Sequence, residues 1–195
     1  TWDADANDWE QRGQDGQLDG VADNDEYGYS VALSDDGTVV AIGSKNYSPP
    51  GATMGGLARV YEWKNDALWE QRGQDILGLA NRDQLGVAVD LSADGAVLAV
   101  GDLLYGQNDP NHDERGRVTV YEYNAGNDHW DDRGQELLGE ANGDRCGWAL
   151  QLSADGTAIV VGGKHNDPPD GSGGIFGNAG HARVWAYDAG SDLWH

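Results

Sequence analysis

Short apolar runs, separated by glycine, asparagine and aspartate, recur in one fixed order along the chain. Each unit holds four runs rich in β-branched and aromatic residues, a pattern typical of β-strands. The first run opens on tryptophan and the second on glycine; the third is apolar at nearly every position, and the fourth ends in aromatic residues. The first run starts at Trp9, Trp69, Trp130 and Trp194, which gives a period of about 60 residues.

The second and third runs differ in how they distribute apolar residues. In the second run Val89 and Leu91 share one face and Asp90 lies on the other, as in a strand with one buried face. The third run, residues 96–101, is apolar on both sides, which predicts a strand covered on both faces. An Asp-Gly pair separates these runs in every unit and predicts a tight hairpin, because glycine accepts the positive φ of the turn.

Four-stranded antiparallel units repeated head to tail predict an all-β fold, the β-propeller. We treat residues 1–195 as one propeller domain with repeat units at 9–68, 69–129 and 130–193. Propellers have about four to eight blades, so three blades predict a part of a larger ring, completed within a longer chain or by several chains. The segment from Trp2 to Trp9 repeats the phase of Tyr187 to Trp194, so the two ends overlap rather than complement each other.

The charge balance excludes several classes of protein. The chain carries 34 acidic and 12 basic residues, a net charge of −22, whereas nucleic-acid binding and docking on an anionic membrane need basic surfaces. No apolar stretch approaches the roughly 18–20 residues of a membrane span. The single cysteine, Cys146, forms no internal disulfide and so does not identify the compartment. The 8 Trp and 8 Tyr, together with the periodic pattern, predict a packed acidic protein rather than a disordered one.

The repeats resemble a known family. Residues 27–32 (YGYSVA), followed by 40–44 (VAIGS) and 58–61 (ARVY), resemble the FG-GAP repeats of the integrin α-chain propeller, and the other units follow in phase over essentially the whole chain. The resemblance implies a seven-bladed, extracellular or cell-surface propeller that binds ligands in adhesion. It also implies that the second run is innermost and the tryptophan run outermost. The family's calcium loop, Asp-x-Asp-x-Asp-Gly, is replaced here by the short Asp-Gly turn.

Two sets of loops are predicted to open on one face of the blades. They are residues 18–27, 77–85 and 138–146, and residues 45–55, 102–115 and 163–179. Loops on a rigid scaffold commonly carry function, so we predict that a protein or glycan partner binds this face. The candidate ligand-binding residues are Tyr29, Trp148, Tyr47, Tyr105, Asp25, Asp83 and Asp144. The three aspartates recur in phase, and their alternative role is to accept backbone N–H groups in turns.

One loop and one tripeptide suggest further sites. Asp109, Asn111 and Asp113 place oxygen ligands at alternate positions, as calcium loops do, which makes calcium the one cofactor candidate. The loop lacks the central glycine and the distal glutamate, so a solvated acidic loop is the alternative. Asn46-Tyr47-Ser48 is an N-glycosylation acceptor pattern, followed directly by Pro49, and agrees with an extracellular location.

No catalytic motif emerges from the sequence. The five histidines lack metal-ligand spacing, and no Gly-x-Ser-x-Gly elbow is present. We therefore predict a non-enzymatic extracellular or cell-surface module for adhesion, with a structural subunit of an extracellular filament or coat, built from neighbouring copies, as one alternative. A propeller enzyme acting on polysaccharides is the other. The repeated tryptophans are predicted to pack between blades, and Arg12, Arg72 and Arg133 to bond neighbouring blades or turns.

Overall fold

The computed structural model describes residues 2–3, 7–13, 18–64, 68–105, 114–165 and 179–195. Within these ranges every regular element is a strand, and there is no helix that could cross a membrane. The strands are β1 (Trp2–Asp3), β2 (Asp8–Trp9), β3 (Ser30–Leu33), β4 (Val39–Ser44), β5 (Leu57–Lys64), β6 (Leu68–Gln71), β7 (Ile76–Leu77), β8 (Leu85–Leu91), β9 (Val97–Asp102), β10 (Arg117–Asn124), β11 (His129–Asp132), β12 (Leu137–Leu138), β13 (Cys146–Leu152), β14 (Ala158–Gly163), β15 (His181–Asp188) and β16 (Leu193–Trp194).

Twelve of these strands form three antiparallel sheets, which we call blades 1, 2 and 3. Their strand orders are β3-β4-β5-β6, β8-β9-β10-β11 and β13-β14-β15-β16, while β7 and β12 pair with β5 and β10. The predicted all-β, four-stranded architecture is therefore confirmed. The tryptophan strand that opens each sequence repeat closes the sheet of the preceding runs, so the sheets are offset from the repeat units. The N-terminal hairpin β1–β2 pairs Trp2 with Trp9 as β15–β16 pairs Tyr187 with Trp194.

The predicted hairpins between the second and third runs are present in all three blades. In blade 1, Gly37 has a φ of 69°, and the Ser34 hydroxyl donates to Asp36 at 2.7 Å while accepting the Val39 N–H at 2.9 Å. Ser92 and Asp94 repeat this arrangement in the next blade. Each turn thus satisfies its own polar groups, which allows the apolar third strand to follow directly.

The blades stack face to face through two apolar surfaces. In sheet order from β3, β8 or β13, we call the residues of the second and third strands that point to the following blade the forward face of a blade. The residues of the first and second strands that point to the preceding blade form its rear face. The forward face of blade 1 packs on the rear face of blade 2 through Val39, Ala41, Ala58 and Val60 against Val89, Leu91, Leu98 and Val100. The next contact repeats it through Val97, Ala99, Val118 and Val120 against Leu150, Leu152, Ile159 and Val161. Blade 2 is covered on both faces, as its third run predicts.

The outer edges of the blades are joined by the repeated arginine and tryptophan, which confirms that prediction. Trp130 is 1% exposed and its indole N–H donates to the backbone oxygen of Arg72 at 2.9 Å. The Arg72 guanidinium lies 3.9 Å from the ring centroid of Tyr123, in the same sheet as Trp130. Trp194 and Arg133 form the same pair between the next two blades. The first copy, Trp9, differs because it is 76% exposed.

Candidate functional site on the loop face

The two sets of loops meet at one edge of the stacked blades, as predicted. The Leu85 N–H donates to the oxygen of Gly55 at 2.9 Å, and the Cys146 N–H donates to the oxygen of Arg115 at 3.0 Å. Each contact joins the loop between β4 and β5, or between β9 and β10, to the loop that enters the next blade. We call this edge the loop face; its described residues are 18–29, 44–57, 77–87, 102–105, 114–117, 138–148 and 163–165.

The recurring aspartates of the loop face are built into its turns. Asp25, Asp83 and Asp144 are buried, and each accepts the N–H of the residue three positions earlier at 2.7–2.8 Å. Their backbone oxygens also accept, for example from the Ser44 hydroxyl to Asp25 at 2.6 Å. The geometry is that of the turn role, and the carboxylates face their own turns rather than solvent.

Blade 2 carries a charged cluster where β9 ends and β10 begins. Arg117 and Asp102 are register partners, and the Arg117 guanidinium contacts the Asp102 carboxylate at 2.7 Å and that of Glu136 at 2.6 Å. The same guanidinium lies 3.9 Å from the ring centroid of Tyr105. Together with Asp83, whose carboxylate influences both Asp102 and Arg117, these residues form what we call the Arg117 cluster.

The repeat shows which members of this cluster are particular to blade 2. Blades 1 and 3 hold Ser44 and Gly163 at the position of Asp102. At the position of Arg117 they hold Leu57 and His181. Sequence reasoning selected Asp83 and Tyr105 but missed Asp102, Arg117 and Glu136. The interruption of the repeat at positions 102 and 117 is the sequence signal that could have marked Asp102 and Arg117 as unusual.

The electrostatics of the cluster are set by burial. Asp102 is 1% exposed, and removal from water raises its pKa to about 7, while Arg117 opposes the shift and Asp83 and Glu136 add to it. Burial also raises the pKa of Asp83. One oxygen of each of these two carboxylates has no hydrogen-bond partner in the part of the chain that the structure describes. The Asp102 carboxylate can therefore take up a proton near neutral pH.

Replacing Asp102 by Asn should flatten the pH dependence of stability. Since the pKa of Asp102 rises from 3.8 to about 7 on folding, the native state holds the extra proton, and stability falls as pH rises through this window. We expect Asp102 to contribute a loss of about 1–3 kcal/mol between roughly pH 5 and pH 8. Urea unfolding at a series of pH values measures it, with Asp102→Ser, which copies Ser44, as a second variant. Equal slopes in wild type and both variants would contradict the assignment.

Two exposed aromatic residues occupy one repeat position in blades 1 and 3. Tyr29 and Trp148 are 46% and 39% exposed. The ammonium of Lys45 lies 3.7 Å from the Tyr29 ring centroid, and that of Lys164 lies 4.0 Å from that of Trp148. Lys45 also pairs with Glu26 at 3.0 Å.

In blade 2 the matching positions hold Val87 and Leu103, which are both buried. Blades 1 and 3 therefore present a cation beside an aromatic ring, and blade 2 closes that position with apolar residues. The predicted residues Tyr29 and Trp148 thus lie on the loop face, on the two blades that flank the Arg117 cluster.

The remaining predicted sites are less open or lie elsewhere. Tyr47 is half-buried, and its backbone oxygen accepts from Gly56 at 2.9 Å. Asn46, the predicted glycosylation residue, is half-buried and its side-chain oxygen is fully buried. The predicted calcium ligands Asp109, Asn111 and Asp113 lie outside the described residues. Among the residues described, no group of three or more His, Cys, Asp or Glu could hold a metal ion.

Cys146 lies beneath the loop face as an unreactive thiol. Burial raises its pKa to about 11, and its sulfur donates to the backbone oxygen of Leu137 at 3.7 Å. A thiolate is the reactive form of cysteine, so this residue serves packing.

Comparison with known proteins supports the fold alone. No family model matches the sequence, and no curated protein matches it. Among solved structures, a 6-phosphogluconolactonase from Bacteroides fragilis, described as putative, has a TM-score of 0.55 at 13% identity, over 90% of this chain and 38% of that one. Sqt1 of Saccharomyces cerevisiae has a TM-score of 0.51 at 10% identity, over 89% of this chain and 35% of that one. The chain thus spans little more than a third of the length of the structures it matches.

Proposed function

We propose that the chain is part of a larger β-propeller that binds a protein or glycan partner through its loop face, outside the cell or at the cell surface. The observation that carries the proposal is the pair of exposed rings, Tyr29 and Trp148, at one repeat position on the loop face. The resemblance to FG-GAP repeats supports the adhesive role and the location. The net charge of −22 makes nucleic acid and anionic membranes poor partners.

The chemistry of this face suits a ligand with both apolar and polar groups. An aromatic ring offers a large contact area at a low cost in conformational entropy, and the face of a sugar or a peptide side chain packs against it. The ammonium beside each ring supplies donors to hydroxyl or carboxylate groups of the ligand. The rings and lysines are held by the β-scaffold beneath them, so little ordering is needed on binding.

We propose a non-enzymatic role because Asp83 and Asp102, two neighbouring carboxyl groups with raised pKa values, are out of a substrate's reach. A general acid or base must approach the substrate to hydrogen-bond distance. Asp83 and Asp102 are both buried, and the Arg117 guanidinium pairs with the carboxylates of both Asp102 and Glu136. The Arg117 cluster therefore offers the polysaccharide-acting alternative no accessible acid–base pair.

Removing the two rings should weaken ligand binding. We expect Tyr29→Ala and Trp148→Ala each to lower affinity about tenfold, because an aromatic contact is worth roughly 0.5–1.5 kcal/mol beyond its buried area. Trp9→Ala, which removes an exposed tryptophan that lies off the loop face, is the matched control.

The measurement is binding of fluorescently labelled chain to an array of neutral and acidic polysaccharides and immobilised extracellular-matrix proteins. A ligand held equally well by wild type and by the double variant Tyr29→Ala/Trp148→Ala would refute the proposed site. The absence of any ligand on both panels would refute the proposed function.

A further inference from the structure

Blade 3 leaves its forward face open to solvent. Six positions of β14 and β15 point this way, and all are alanine, valine or glycine: Ala158, Val160, Gly162, Ala182, Val184 and Ala186. Val184 is 71% exposed. In a chain whose residues are 24% charged, an uncharged sheet face of this kind is unusual. Contiguous exposed apolar surface marks a protein interface.

Blade 1 leaves the opposite, rear face open. Val31 and Leu33 on β3 are 65% and 59% exposed. Their counterparts in blade 2, Val89 and Leu91, are buried under the forward face of blade 1. The apolar side chains of this strand are therefore in place without the sheet that covers them elsewhere in the molecule.

The two open faces are complementary, because the molecule already makes the same contact twice. A forward face packs on a rear face between blades 1 and 2 and again between blades 2 and 3. The open forward face belongs to blade 3 and the open rear face to blade 1. One copy of the chain thus presents both halves of an interface whose packing it contains internally.

A glycine on the open forward face gives independent support. Gly43 and Gly101 hold this position in blades 1 and 2, where a Cβ atom would overlap the backbone oxygens of Gly86 and Gly147 in the following blade. At Gly162 in blade 3, the atoms of the described residues that a Cβ would meet belong to Ala149 alone, at ordinary distances of 3.6 and 3.9 Å. Glycine weakens a strand interior and commonly marks the close approach of another backbone. Among the described residues, no contact requires glycine at this position.

From this geometry we infer that a second copy of the chain docks the rear face of its blade 1 on the forward face of blade 3. The backbone bonds at the Asp-Gly turns extend the same way: Asp35 N–H donates to Ala93 O at 2.9 Å and Ala93 N–H donates to Ala154 O at 2.8 Å. In the docked pair, the Ala154 N–H donates to the backbone oxygen of Asp35 in the second copy. Such a head-to-tail contact closes into a ring or continues as a filament, depending on the rotation per copy.

Docking requires the hairpin β1–β2 of the second copy to leave its place along blade 1. This hairpin duplicates β15–β16, so Trp194 of the first copy takes the place that Trp9 holds along blade 1 of the second. Trp9 is 76% exposed, whereas Trp194 is buried. The docked arrangement therefore replaces a weakly packed tryptophan with a well-packed one.

Sedimentation equilibrium over a concentration series tests the inference. We expect wild type to self-associate, and Val184→Glu and Val31→Glu each to weaken association about tenfold or more, since each buries a charge in the apolar contact. Because the two substitutions damage opposite faces, an equimolar mixture should restore a one-to-one complex through the remaining intact pair of faces. Leu79→Glu, at an exposed leucine on the loop face, is the control and should leave association unchanged.

The outcomes separate this interface from others. A wild type that stays monomeric overturns the inference, as does association that survives both substitutions. If only one of the two variants loses self-association, or if their mixture stays monomeric, the contact is self-complementary. Either result overturns the head-to-tail arrangement. Because all the substituted residues are exposed, an unchanged urea midpoint in the monomer confirms that each variant folds. Gly162→Ala should also weaken association without changing that midpoint.

Discussion

Trp130→Ala should lower the free energy of unfolding by about 3–5 kcal/mol, the cost of truncating a fully buried aromatic residue. Trp130 packs in the core between blades 1 and 2, and its indole N–H satisfies the backbone oxygen of Arg72. Its backbone N–H also donates to the side-chain oxygen of Gln74 at 2.8 Å. The substitution therefore opens a cavity and removes the indole donor from the backbone oxygen of Arg72.

The control lies at the same position of the repeat. Trp9→Ala should change stability by less than about 0.5 kcal/mol, because most of that side chain is already in water. Urea unfolding followed by tryptophan fluorescence and circular dichroism measures both variants. Equal losses in the two would show that the tryptophan contributes through its own strand rather than through the contact between blades.

Gly101→Ala should destabilise the protein by about 1–3 kcal/mol, and by more if the backbone cannot shift to make room for the methyl group. A methyl group at Gly101 points at the carbonyl oxygen of Gly147, a backbone atom of blade 3 that has no rotamer to change. Blades 2 and 3 must separate locally to make room. The packing of Val118 against the rear face of blade 3 then loosens as well.

Gly162→Ala is the matched substitution one blade further along. Within the part of the chain that the structure describes, the added methyl group meets only Ala149, at van der Waals distance. Alanine also restricts the unfolded chain, so the monomer should be unchanged or slightly more stable. Thermal unfolding of dilute protein compares the two variants. A similar loss at Gly101 and Gly162 would contradict the role of these glycines in the approach of neighbouring blades.

Most of the fold could be predicted because short hydrophobic patterns specify its strands and turns, and because these patterns repeat along the chain. The Asp-Gly turn at Asp36, the doubly apolar third run and the alternating second run each specify a strand or a turn over a few residues. Three copies in phase then specify how such units stack. The roles of Arg72 and Trp130 followed because they recur together, once per blade.

The Arg117 cluster could not be predicted, because its members are distant in sequence and appear in one blade alone. Asp102 and Glu136 meet only where β9, β10 and the segment before β12 converge on Arg117. The lysine beside each exposed ring was missed for the same reason, since Tyr29 and Lys45 are joined by strand pairing across a hairpin. The interrupted repeat marks such positions, but only the fold shows what they contact.

The offset between sequence repeat and sheet has a consequence for synthesis. Each blade obtains its last strand from the segment that follows it, as blade 1 obtains β6 and blade 2 obtains β11. A blade emerging from the ribosome therefore stays three-stranded until the start of the next unit has been translated. Because the borrowed strand connects each completed blade to the next, we expect folding to proceed from blade 1 onward and the blades to gain stability in overlapping pairs.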